Sequence, residues 1–197
     1  MKLLNVLFLV ATLLFTSEAK AFVSPIGISL FPPIELPPPD FTVTGVRVNL
    51  LWGNHHNVYG FDFGTLVNQT LQNVGGLQIA GGVNYNNGNA TIIGLQASAI
   101  SNVNLQHLSV IGLQVSGVNS NQGEASIYGI QAGLLNLSAH TKMVGLQVGL
   151  YNKANEVYGF QIGVVNSAGN LHGIQIGLLN FNDRGLFAIV PILNVGF

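Results

Sequence analysis

The sequence predicts an all-β fold on three observations: a tandem repeat of one short motif, period-2 alternation within each copy, and a chain rich in glycine but poor in charge. From Gly45 onward the pattern G-[LIF]-Q-[IVA]-G-[LV]-[LV]-N recurs. Its motif glycines are Gly45, Gly60, Gly76, Gly94, Gly112, Gly129, Gly145, Gly159 and Gly173, 14 to 18 residues apart. Four copies are nearly perfect: GIQAGLLN from Gly129, GLQVGLYN from Gly145, GFQIGVVN from Gly159 and GIQIGLLN from Gly173. Alternation puts Ile174, Ile176 and Leu178 on one face and Gly173, Gln175 and Gly177 on the other. A strand keeps these two sets apart, whereas a helix scatters them. Gly185 to Phe197 supplies a further strand and ends the chain on an aromatic residue.

Composition sets the surroundings. A chain of 197 residues is enough for one domain. Its charged fraction is only 7%, against about a quarter in ordinary soluble domains. Such a shortage suggests that much of the exterior meets lipid rather than water. Net charge is −1 and no basic run occurs, which removes the electrostatic footprint of a nucleic-acid partner. The absence of cysteine excludes disulfides, thiolate metal sites and a lipidated N-terminal cysteine.

Residues 1–21 have the form of a secretory signal peptide, with Lys2 in the basic region, Leu3 to Phe15 as the apolar run and Ala19-Lys20-Ala21 as the cleavage site. No later stretch is long and apolar enough to span a membrane as a helix, so membrane integration would have to use paired strands. Residues 22–40, with their prolines, are expected to form an extended arm ahead of the repeat domain, 41–197.

Two architectures fit the repeat. One is an antiparallel transmembrane β-sheet or barrel of about ten strands; the alternative is a parallel β-solenoid. Aromatic residues favour the first. Tyr59, Tyr128 and Tyr158 precede the glycines of even repeats, while Trp52, Tyr85, Tyr151 and Phe181 follow odd ones. If successive strands reverse direction, all seven fall at one membrane edge as an aromatic girdle. By simple counting, Tyr151 and Phe181 fall on the glutamine face. The expected fold is therefore the antiparallel membrane sheet or barrel.

Two residues after each motif glycine stand Arg47, Asp62, Gln78, Gln96, Gln114, Gln131, Gln147, Gln161 and Gln175. They are expected to form one inward-facing layer, with an Arg47–Asp62 ion pair and hydrogen-bonded glutamine amides. The glycines beside them leave little bulk, so this face can approach another surface closely. A wide ion-selective pore is not expected. Of six Lys/Arg and seven Asp/Glu, three (Lys2, Glu18 and Lys20) precede Phe22, leaving ten for the mature chain.

No catalytic constellation, cofactor fingerprint or metal site is evident, so the chain is not expected to be an enzyme or to hold a cofactor. His55-His56 is the only histidine pair, and it reads as a solvated loop pair rather than a metal site. The carboxylates Glu35, Asp40, Glu124, Glu156 and Asp183 fall in the arm or the connectors, with no two at a set separation.

On its GLQIGLLN-type copies, Gly45 to Phe197 resembles the glycine-rich surface-repeat outer-membrane proteins of spirochaetes and predatory bacteria, including the PopA-like ring-forming proteins. The early copies GLQIAGGVN and GLQASAISN carry insertions, and Ile192 stands where the assembly signal of barrels usually has glycine. The resemblance implies a homo-oligomeric outer-membrane assembly that encloses or organises lipid. The expectation is thus a structural membrane protein with lipid as partner, exported and processed near Ala21. A narrow passive pore and a surface-exposed solenoid that binds a partner are the alternatives.

Overall fold

Each repeat contains two strand stretches and two corners, and the corners decide the architecture. The computed structural model describes residues 22–138 and 140–197; the expected signal peptide lies outside the described residues. Along the chain run β1 (Val23–Phe31), β2 (Ile34–Leu36), β3 (Thr42–Asn49), β4 (Trp52–Gly64), β5 (Val67–Ala80), β6 (Val83–Asn86), β7 (Asn89–Ser98), β8 (Ser101–Asn104), β9 (Leu108–Val115), β10 (Val118–Asn121), β11 (Ala125–Ala132), β12 (Leu135–Leu137), β13 (Thr141–Asn182) and β14 (Ile189–Gly196). About four-fifths of the described residues are strand.

Neighbouring repeats lie parallel. Gly129 pairs with Gly112 and Gly145, and Gln131 with Gln114 and Gln147, in unbroken register. The antiparallel barrel expected from the sequence is therefore corrected: the fold is a parallel β-solenoid of about eight turns. The physical reason is the corner. A membrane barrel reverses direction after one long strand, whereas here the chain bends after the motif glutamine and returns along a second, shorter strand. The longer stretches of β3, β4, β5, β7, β9, β11 and β13 stack as one parallel sheet. The short ones of β4, β5, β6, β8, β10, β12 and β13 stack as another. Strands β4, β5 and β13 run through both sheets.

The proline-rich arm is not a free extension. β1 joins the first sheet parallel to β3, and β2 folds back antiparallel onto β1. The sequence reading overlooked that the prolines cluster after Phe31, leaving only Pro25 inside the strand, at a break in register. At the other end β14 pairs antiparallel with the last turn of β13, Gly173 with Gly196 and Ile176 with Leu193. That antiparallel cap closes the ladder.

The interior is divided lengthwise. Next to the polar connectors, Val58, Val74, Ile92, Val110, Ile127, Met143 and Val157 stack as the aliphatic core. Toward the other corner the buried side chains are amides. Outside, the arrangement is reversed: large aliphatic residues line the corner above the amides, and Asn73, Asn89, Glu124, His140 and Glu156 stand at the corner above the aliphatic core.

Candidate functional site

The inward row lies where alternation puts it. Arg47, Asp62, Gln78, Gln96, Gln114, Gln131, Gln147, Gln161 and Gln175 are all 0% exposed. Arg47 meets Asp62 through two hydrogen bonds, Nε to Oδ1 at 2.8 Å and an Nη nitrogen to Oδ2 at 2.7 Å. It also donates to the Gln69 carbonyl at 2.9 Å. From there a continuous ladder runs along the axis. Gln78 donates to Asp62 at 3.0 Å, and Gln96, Gln114, Gln131, Gln147, Gln161 and Gln175 each donate to the preceding amide at 2.6 to 2.9 Å. Asn194 of β14 donates to Gln175 at 2.8 Å and ends the row. Every amide donates toward the N-terminal end, so the row closes on a carboxylate, which only accepts.

A second ladder was missed as a site by sequence reasoning. Asn68, Asn84, Asn102, Asn119, Asn136, Asn152, Asn166 and Asn180 are fully buried. Each of the first seven donates to the next in the C-terminal direction at 2.8 to 3.0 Å, and Asn180 ends the row. Its donors point opposite to those of the glutamine row, so the two rows of amide dipoles oppose each other. Most of these asparagines use the second amide hydrogen on the carbonyl of the residue that follows the motif glutamine of the next turn, such as Asn152 to Ile162 O at 3.0 Å and Asn166 to Ile176 O at 2.9 Å. That bond fixes the corner. The signal was the terminal N of the motif, five residues after the glutamine in the later copies and six in the early ones. The extra residue in GLQIAGGVN and GLQASAISN widens the corner without breaking the ladder.

Cutting the glutamine row should be measurable. Gln147→Leu removes the donor to Gln131 Oε1, and an orphaned buried acceptor costs roughly 1–3 kcal/mol. A lowered denaturant midpoint is expected; a midpoint matching that of Lys153→Gln on the surface would show that the row does not bear on stability.

The seven aromatic residues do not form a girdle at one edge. That expectation needed strands of alternating direction, and it is corrected by the parallel stacking. Tyr59, Tyr128 and Tyr158 point outward from the long strands, while Tyr85, Tyr151 and Phe181 flank the second sheet's inward asparagines, Trp52 flanks the inward Gly53, and all four lie on its outer side. Tyr151 and Phe181 escape the glutamine side because the alternation slips by one at the corner: Leu178 and Leu179 are both exposed before Asn180 turns in.

The exterior carries the most unusual feature. Val46, Phe61, Leu113, Ile130 and Phe160 project from β3, β4, β9, β11 and β13, with Val48, Phe63, Val115, Ile162 and Ile176 in a second column. At the corner Leu66, Ile100, Leu134, Leu150 and Leu178 are 50 to 68% exposed. Soluble monomers rarely expose contiguous apolar patches beyond a few hundred Å². Between the leucine edge and the Val148–Ile162–Ile176 column lies an apolar groove of about 560 Å³, floored by Gly133, Gly149, Gly163 and Gly177 and closed by Ile192. Ile192, noted in the sequence as replacing a glycine, has φ +69° and is 72% exposed there.

His55 is not a solvated loop residue. It is buried, with Nδ1 3.4 Å from Glu35 Oε2, while His56 faces Asp40 at 3.6 Å on the surface. Among the described residues no cluster of three metal-ligating side chains occurs. The fold and site define a parallel β-solenoid with an amide core and an apolar flank. Comparison of the chain with family models, curated proteins and solved structures finds no match.

Proposed function

We propose that the protein is an exported, oligomer-forming β-solenoid of the bacterial outer membrane that seats its apolar flank against lipid and thereby organises it. The observation that carries this reading is the exposure of large aliphatic side chains on most turns, backed by an interior in which the amides bond to one another and to the backbone. A polar core of this kind is what a chain needs when its outside cannot supply hydrogen bonds. At about 25 cal/mol per Å² of apolar area removed from water, a flank of several hundred Å² provides ample driving force for seating. The interior is filled by side chains, so a passive pore would have to lie between copies and not along the axis of one. A surface-exposed binding module draws on the parallel coil itself and on the groove.

Carbonate extraction of membranes from cells expressing the whole chain separates these readings. The protein is expected to stay in the membrane pellet, and Leu134→Asn, Leu150→Asn and Leu178→Asn together are expected to shift most of it to the wash. Release of the unaltered protein as a soluble species without detergent would overturn the lipid-seated reading and favour the peripheral module. Reproducible conductance steps in planar bilayers would favour the pore.

A further inference from the structure

The strap Ile34–Asp40 crosses the N-terminal end of the coil and is tied to β4 by contacts of Asn54, His55 and His56, the last with Nδ1 3.1 Å from the Pro39 carbonyl and 3.6 Å from Asp40. The Asn54 amide donates to Glu35 Oε1 at 2.9 Å and the His56 amide to the Pro39 carbonyl at 3.0 Å. His55 Nε2 lies 3.2 Å from the Pro37 carbonyl, and His55 Nδ1 lies 3.4 Å from Glu35 Oε2, both side chains being 0% exposed. A carbonyl oxygen only accepts, so Nε2 must carry a hydrogen. In a neutral ring Nδ1 is then a lone pair, and it faces a carboxyl oxygen. If Glu35 were ionised as well, two buried acceptors would confront each other with nothing between them, and neither has another partner. One proton resolves the conflict, whether drawn on the acid or on the ring.

We propose that Glu35 and His55 share a single proton, and that this proton latches the Ile34–Asp40 strap onto the first turn of the solenoid. The charged groups around the pair leave it neutral overall. Arg47 on β3 and Asp62 on β4 neutralise each other through their two hydrogen bonds, and His56, next in sequence, is turned toward Asp40 at the surface. Burial, ahead of the Asn54 hydrogen bond and the Arg47 charge, raises the Glu35 carboxyl above its ordinary value of 4.5. Burial and then Arg47 lower His55 to about 4.

The pH dependence follows from counting protons. The docked pair holds one. In a released strap, with both groups at their ordinary values of 4.5 and 6.5, the pair holds two protons below pH 4.5, one between 4.5 and 6.5, and none above. Above 6.5 the docked state binds more protons than the released one, so rising pH opposes docking until the docked pair itself loses its proton. Below 4.5 the released state binds more, so falling pH opposes docking. Docking is tightest between these limits and weakens as pH rises above 6.5 or falls below 4.5.

Hydrogen–deuterium exchange of the Asn54 and His56 amides, both bonded to the strap, tests this on the purified whole chain. Protection relative to intrinsic exchange is expected to be level between pH 4.5 and 6.5 and to fall above 6.5, by no more than tenfold per pH unit. Protection unchanged from pH 5.5 to 8.5 would overturn the proposal. In Glu35→Gln the amide donates to Nδ1 without any titrating proton, so the alkaline loss is expected to vanish; its persistence would equally overturn the latch. The profile of the unaltered protein decides the matter even if that variant fails to fold.

Discussion

Asp62→Ala is expected to destabilise the protein by roughly 3–5 kcal/mol, the range found when one partner of a buried ion pair is removed. The Arg47 guanidinium is fully buried, and Asp62 is its counter-charge. Asp62 also accepts from Asn49 at 3.2 Å and from Gln78 at 3.0 Å, so its loss orphans three donors at once. The informative companion is the double change Arg47→Gln with Asp62→Gln, which continues the glutamine row into the first two turns. It is expected to recover most of the loss, because two neutral amides need no counter-charge and match every later turn. Guanidinium denaturation, read with amide exchange of β3 to β5, measures both. A cost below about 1 kcal/mol for Asp62→Ala, as for an exposed pair, would show that the pair is not desolvated.

Gly145→Ala is expected to cost several kcal/mol, and Gly94→Ala distinctly less. Both positions have φ in the left-handed region, +129° and +103°, where a side chain costs of order 1–3 kcal/mol. They differ in what stands opposite. A Cβ on Gly145 would press into the carbonyl oxygen of Gly129 on the adjacent turn, whereas a Cβ on Gly94 meets nothing within 4 Å. The opening at Gly94 follows from a register shift between β5 and β7, Gly76 facing Ile92 but Gln78 facing Gln96. Thermal or denaturant midpoints of the two variants therefore isolate the stacking contribution. Equal losses would mean that backbone strain alone, and not the contact between turns, fixes the motif glycine.

Much of the interior was legible in the sequence. Alternation is local, so the inward direction of Gln131 or Gln161 follows from its distance to the motif glycine, and the constancy of that distance puts the amides level. Pairing of Arg47 with Asp62 was legible for the same reason: the only two charges in the row stand on successive repeats. Strand direction was not legible. A period of two is the same in parallel and antiparallel sheets, and the aromatic parity that seemed to arbitrate depends on a reversal that Asn152 and Asn166 prevent by bonding the corner backbone. The His55–Glu35 contact was hidden because its two residues lie in segments read as a connector and a free arm, and only the fold-back of β2 brings them together.

By itself, then, the sequence determined the strand content, the repeat length, the face that each side chain takes along a strand, and the low charge of the chain. These are properties of consecutive residues, set by backbone geometry and composition. Tertiary structure decided the direction in which one repeat meets the next, the folding of the proline-rich segment onto the first turn, and the gathering of exposed apolar residues from separate repeats at one corner of the coil. Those depend on hydrogen bonds between residues 14 to 19 positions apart. Such bonds form only once each corner has bent the chain back beneath itself.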